Sequence, residues 1–176
     1  AARVDETVDD YFFLLPDAAS LADLADPALR ELRTVSADSI ADWVLRSPAR
    51  KKVLIFDTCS AGKALSSLTE PRNLSSDAIR AHVTAQDRTG AWLLAGAAAD
   101  QPSYEATRYG HGILTYALLD GMKHGEALDE GEQLQVSLLF DHAEDHVPVF
   151  ARGVGGVQEP IVRREDKPFH LGELTL

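Results

Sequence analysis

The chain has 176 residues, 45% of them apolar, which is enough to pack one globular core rather than form a disordered tail. Its 17 basic and 28 acidic side chains leave a net charge of −11, which repels phosphate backbones and anionic lipid, so neither nucleic acid nor a membrane is an expected partner. A single cysteine excludes an intramolecular disulfide, no apolar run approaches the ~18 residues of a membrane span, and Ala1–Glu6 has no signal-peptide core; a cytoplasmic setting is expected.

Tyr11-Phe12-Phe13-Leu14-Leu15, closed by Pro16-Asp17, reads as a buried strand ending in a turn. Ser36 is placed to cap a helix carrying Ile40, Trp43 and Val44 on one face, with Ser47-Pro48 as its stop. Val53-Leu54-Ile55-Phe56 is four bulky apolar residues in a row, the pattern of a strand buried on both faces of a parallel sheet. Residues 63–73 read as an exposed loop and Ser76 as the start of a short helix through Ile79 and Val83. Ala91 to Ala95 is a second buried strand that leads into a loop at residues 100–105. Ile113, Leu114, Ala117 and Leu118 mark a helix ending at Gly121 or Gly125. Ser137 is expected to cap a helix over 138–147 that Pro148 stops, and the tail to finish with an edge strand at 169–171. Alternating strands and helices argue for an α/β sandwich.

Cys59 stands just beyond the 53–56 strand, at the carboxyl end where open α/β sheets project their chemistry, and Gly62 lets the backbone turn close to it. Placement alone fits a nucleophile, but it fits a small buried hydrophobe better.

The segment Val53-Leu54-Ile55-Phe56-Asp57-Thr58-Cys59-Ser60-Ala61-Gly62 resembles the hydrophobic strand and Asp-x-Cys-x-x-Gly signature of the caspase-like and metacaspase peptidases. Three further stretches match in the family's order: 11–17, 98–105 and Gly110-His111-Gly112 with the helix after it. The resemblance implies a caspase-like α/β/α sandwich with a mostly parallel central sheet, incomplete in this chain. It makes residues 1–176 a single peptidase domain that lacks its N-terminal strands. Cys59 would then be the nucleophile of a cysteine endopeptidase, with nearby backbone amides holding the oxyanion. Positions that hold Gln and Arg in the aspartate-specific caspases carry Asp57 and Glu105 here, so an anionic pocket is implied, with Asp100 and Ser103 beside it. Such a pocket favours protein substrates with Arg or Lys before the scissile bond. The resemblance implies no cofactor and leaves calcium dependence open.

The family's general base is a His-Gly at the end of a strand preceding the aromatic run, and these 176 residues do not include it. Gly110-His111-Gly112 has similar letters but follows the cysteine and opens a helix. His82, His124 and His170 stand alone in polar or terminal stretches and read as surface residues. His142 and His146 share a helix face, yet with Glu144 and Asp145 between them they read as an exposed acidic helix, and no metal is expected. A sheet that ended at Val53–Phe56 would leave a hydrophobic edge. A complementary N-terminal peptidase fragment carrying the His is therefore the expected partner. Self-processing after Lys63, Arg72, Arg80 or Arg88 is a further expectation, with 63–73 as the exposed loop. Two rival readings stand beside the peptidase: a catalytically inactive caspase-like interaction module, and a cysteine hydrolase or transferase acting on a small molecule.

Overall fold

A computed structural model describes residues 12–18, 25–58, 91–98, 102–106, 108–164 and 167–173. It is a mixed α/β protein with four helices and several small sheets among the described residues. The chain divides into two compact units, Ala1–Pro48 with Lys63–Gln86, and Ala49–Gly62 with Asp87–Leu176. The predicted loop at 63–73 and the helix from Ser76 lie outside the described residues.

In the first unit β1 (Phe12–Leu14) runs antiparallel to β2 (Thr34–Ser36) with Phe13 opposite Val35. Helix α1 (Pro27–Arg33) starts on Asp26, whose Oδ1 accepts the Ala28 N–H at 2.9 Å. Pro27 sits in its first turn, where a missing N–H removes no helical bond. Helix α2 (Ala37–Arg46) begins as the sequence predicts, with Ser36 Oγ accepting the Ser39 N–H at 3.1 Å, and Ser47 ends it. Its apolar face is less covered than the spacing suggests: Ile40 and Val44 are half-buried, but Trp43 is 58% exposed.

The second unit holds a three-stranded sheet in the order β3-β4-β8. Strands β3 (Lys52–Phe56) and β4 (Ala91–Ala95) are parallel, with Val53 opposite Trp92 and Phe56 opposite Ala95. Strand β8 (Ile161–Arg163) is antiparallel to β4, pairing Ile161 with Ala95. The sheet is thus mixed, not the mostly parallel one expected, because the chain returns along β4 in the opposite sense after its last helix. β4 is the doubly buried strand the sequence suggests, with Trp92, Leu93, Leu94 and Ala95 all buried. β3 is not. Among the described residues the sheet ends at β3, and Ile55 is 42% exposed.

Two helices cover β4. Helix α3 (Ile113–Lys123) buries Ile113, Leu114, Ala117 and Leu118, the residues its spacing nominates. It ends at Lys123, and Gly125 supplies the left-handed residue beyond the cap at φ 78°. Helix α4 (Val136–Arg152) departs from expectation at both ends. Ser137 does not cap it; its hydroxyl donates to Gln135 Oε1 at 3.0 Å. Pro148 does not stop it. An interior proline costs about 3 kcal/mol, but Val147 and Ala151 on either side are fully buried, and such burial contributes about 1.5–3 kcal/mol for a valine alone. Phe140 of α4 meets Trp92 of β4 edge-on at 5.6 Å, the centre of a core that also holds Val136, Leu139 and Ala143.

Two short ladders complete the unit. β5 (Glu105–Ala106) pairs antiparallel with β6 (His111–Gly112), and β7 (Gln133–Gln135) with β9 (His170–Glu173), near the expected terminal strand. No helix among the described residues is long and apolar enough to cross a membrane.

Candidate functional site

The carboxyl ends of β3 and β4 lie side by side. Gly96, the first residue after β4, donates its N–H to Phe56 O at 2.8 Å, which brings the next residue after β3, Asp57, against Gly96 and the start of α3. The Asp57 carboxylate is held from three directions. Ser103 Oγ donates to Oδ1 at 3.1 Å; the Thr115 backbone N–H reaches Oδ2 at 3.2 Å and the Thr115 hydroxyl donates to the same oxygen at 2.5 Å.

This geometry follows from how α3 starts. Its cap residue is Gly112, which has no side chain to accept a first-turn N–H, so the acceptor comes instead from Asp57, just past β3. A β-carbon on Gly112 would stand 2.6 Å from Asp57 Oδ2, and one on Gly96 3.2 Å from Oδ1. The two glycines are what allow a carboxylate to enter the helix end, where the positive end of the helix dipole also favours its charge.

Ser103 and Tyr104 are pinned by a residue that the sequence does not single out. Gln158, 1% exposed, accepts the Tyr104 N–H at 2.8 Å and donates Nε2–H to Gly96 O at 2.6 Å. The Ile113 N–H donates to Tyr104 O at 3.0 Å, and Glu105 pairs with Gly112 across the β5–β6 ladder. The structure therefore brings together Asp57, Ser103 and the backbone of Glu105. Cys59 and Asp100 lie outside the described residues, as does His82. His111 is exposed on β6.

His124 and His170 are exposed, as their sequence surroundings suggest. His170 Nε2 is 2.6 Å from Asp129 Oδ2, and His124 Nδ1 is 3.0 Å from Asp120 O, so each has a local partner. The expectation of an exposed acidic helix at 142–146 fails at His142, whose side chain is 2% exposed. It is buried because Gly121 of α3 leaves room for it: a β-carbon there would stand 2.7 Å from the ring. His142 Nδ1 is 2.7 Å from Glu126 Oε2, and Nε2 is 3.3 Å from Asp120 Oδ2 without the alignment of a hydrogen bond. Glu144 and Asp141, on the same helix, instead hold Arg164.

No protein-family model, no curated protein and no solved structure matches the chain. What fold and site define by themselves is a mixed α/β protein with an acid at the carboxyl end of a parallel strand pair, clamped to a helix start.

Proposed function

We propose that this chain is the cysteine-bearing part of a caspase-like α/β/α endopeptidase that cleaves protein substrates after Arg or Lys. The reading is carried by the 3.1 Å hydrogen bond from Ser103 to Asp57, which joins two of the residues that the motifs nominate for the specificity pocket. Asp57 stands where catalytic loops leave a parallel strand pair, two residues before Cys59 in sequence, and Ser103 reaches it from the loop that follows β4. A carboxylate has about four acceptor positions. Among the described residues Ser103 takes one on Oδ1 and Thr115 takes both on Oδ2, which leaves one on Oδ1 for a substrate guanidinium or ammonium in this reading.

In this reading the Cys59 thiol passes its proton to an imidazole, and sulfur adds to the scissile carbonyl. The C–N bond then breaks, the leaving amine takes the proton, and water hydrolyses the thioester. The imidazole comes from a complementary N-terminal fragment whose strand extends the sheet beyond β3. The exposed Ile55 and the position of β3 at the end of the described sheet support such an addition.

Labelling with an Arg-directed acyloxymethyl ketone, in the presence of the proposed complementary His-bearing fragment, tests the reading. Expected are one label per chain, none on Cys59→Ala, and turnover of fluorogenic peptides after Arg or Lys. Turnover only after Asp sinks the pocket; no label and no turnover sink the peptidase. A second reading, an inactive interaction module of the same fold, is favoured by one observation. Three donors on Asp57 give that residue a structural task that needs no substrate.

A further inference from the structure

We propose that Glu126, His142 and His146 form a binding site for a transition-metal dication, zinc above all, that fastens the turn after α3 to the face of α4. One ligand atom from each of the three lies within 4.8 Å of the others. His142 and His146 are one helical turn apart with rings stacked at 3.9 Å, so both imidazoles lie over the same patch, and the less buried His146 ring must tilt to bring both lone pairs to one ion. Glu126 enters it from the turn that follows α3.

The buried ring of His142 supplies the independent argument. A carboxylate faces each of its nitrogens, Glu126 at Nδ1 and Asp120 at Nε2. A neutral imidazole has one N–H and one lone pair. A neutral ring with its hydrogen on Nδ1 meets Glu126 but leaves the buried Nε2 lone pair beside Asp120 with no hydrogen-bond partner among the described residues, a conflict that only a second proton or a cation at Nδ1 relieves. A dication between Nδ1 and Glu126 removes that conflict. Nδ1 then gives its lone pair to the metal, Nε2 carries the hydrogen, and Asp120 becomes its acceptor, the carboxylate–histidine–metal relay common around bound zinc.

His146 is prepared in the same way. Its Nδ1 is 3.0 Å from the carbonyl oxygen of His142, and a carbonyl only accepts, so the hydrogen is on Nδ1 and the lone pair on Nε2. Two imidazoles and one carboxylate suit zinc and its first-row neighbours rather than calcium or magnesium, which prefer sites made of oxygen. Ligands of a tetrahedral zinc at about 2.1 Å stand about 3.4 Å apart. Glu126 Oε2 and His142 Nδ1 are 2.7 Å apart, and the Glu126 side chain, 56% exposed, is free to withdraw by the difference.

The test is zinc titration of the full chain, stripped with chelator beforehand, followed by calorimetry and by thermal melts. One zinc per chain is expected, with a melting point that rises with zinc, because the folded state alone presents the set. Glu126→Gln and His146→Ala, chosen because neither side chain is deeply buried, should each weaken zinc by at least about tenfold, since loss of an outer partner alone costs about 10–100-fold. Cys59→Ser should bind as the parent does. No zinc uptake at millimolar metal overturns the proposal. So do uptake lost in Cys59→Ser, which puts the ion on the thiol, uptake unchanged in His146→Ala, and displacement of zinc by equimolar calcium.

Discussion

Asp57 caps a helix that begins far along the chain: its Oδ2 accepts the backbone N–H of Thr115 at 3.2 Å, across 58 positions of sequence. The bond ties the loop after β3 to the first turn of α3, so the residue that precedes the candidate nucleophile by two is also a structural joint. Replacing it should therefore show in stability, whatever it does to catalysis. Loss of a helix cap costs about 0.5–2 kcal/mol, and donors left without an acceptor add about 1–3 kcal/mol when shielded from water. Asp57→Ala should lower unfolding stability in urea by about 2 kcal/mol. Asp57→Asn, which keeps an acceptor oxygen but not the charge that the helix end favours, should fall between. An alanine variant as stable as the parent means that the cap carries no weight.

Gly112→Ala should be destabilising by about 1–3 kcal/mol for lack of space, the usual cost of overpacking. The new β-carbon would stand 2.6 Å from Asp57 Oδ2, and the carboxylate cannot swing aside without releasing Thr115 or Ser103. The backbone itself is no obstacle, since φ at Gly112 is −57°. The cost should consequently depend on Asp57. In an Asp57→Ala background Gly112→Ala should be close to neutral, and a double-mutant cycle should return a coupling of about 1 kcal/mol or more. Simple additivity would falsify the close-approach argument.

What the sequence could and could not announce divides along the same line, between local pattern and distant neighbour. The apolar run of β4, the Ser36 cap and the α3 spacing are local, and all three are found where the residues put them. The run of β3 is as apolar as that of β4, yet Ile55 is exposed, because burial of a strand depends on what lies beside it. Pro148 has the letters of a helix stop and sits inside α4, since the buried Val147 and Ala151 hold both sides in place. The motif singles out Asp57, but the clamp on it needs Thr115, and no window of neighbouring residues contains both. His142 is the sharpest case. Its own surroundings are acidic and polar, and only Gly121 on the facing helix makes room to bury it.

Gln158 belongs to the same category of residue without a local signature, and its substitution should be among the more damaging. Its amide bridges two backbone groups, the Gly96 carbonyl and the Tyr104 N–H, at 1% exposure. Gln158→Leu fills a similar volume and strands both. At about 1–3 kcal/mol for each unsatisfied group, the loss should be about 3 kcal/mol. Amide hydrogen exchange gives the more specific readout. The Tyr104 N–H should lose protection by more than the core amides of β4 do, because the Ser103–Tyr104 segment is released locally. Uniform acceleration across the unit would show that Gln158 contributes to the core as a whole and does not pin that segment.

Acid should loosen the turn between α3 and β7 through Asp129. The Gln133 backbone N–H at 3.0 Å is the main influence holding this carboxyl below its ordinary value; modest desolvation opposes it, and His170 and the Gly131 N–H at 2.9 Å reinforce it. A carboxyl whose folded-state pKa is depressed binds protons more weakly when folded than when unfolded. Its contribution to stability is complete above the unfolded value, ordinarily about 4, and is lost as pH falls through the lower folded value. The turn needs the carboxylate: Glu132 within it holds φ 57°, a conformation that a non-glycine residue adopts at a cost, and the Asp129 bonds on either side hold it there. Carboxyl-carbon NMR titration should give Asp129 a midpoint below 3.8, the value of a free side chain. In Asp129→Asn the stability of the parent should fall more steeply than that of the variant between pH 5 and pH 2. A midpoint at or above the free value, or parallel acid limbs for the two proteins, would remove Asp129 from any account of how this chain responds to acid.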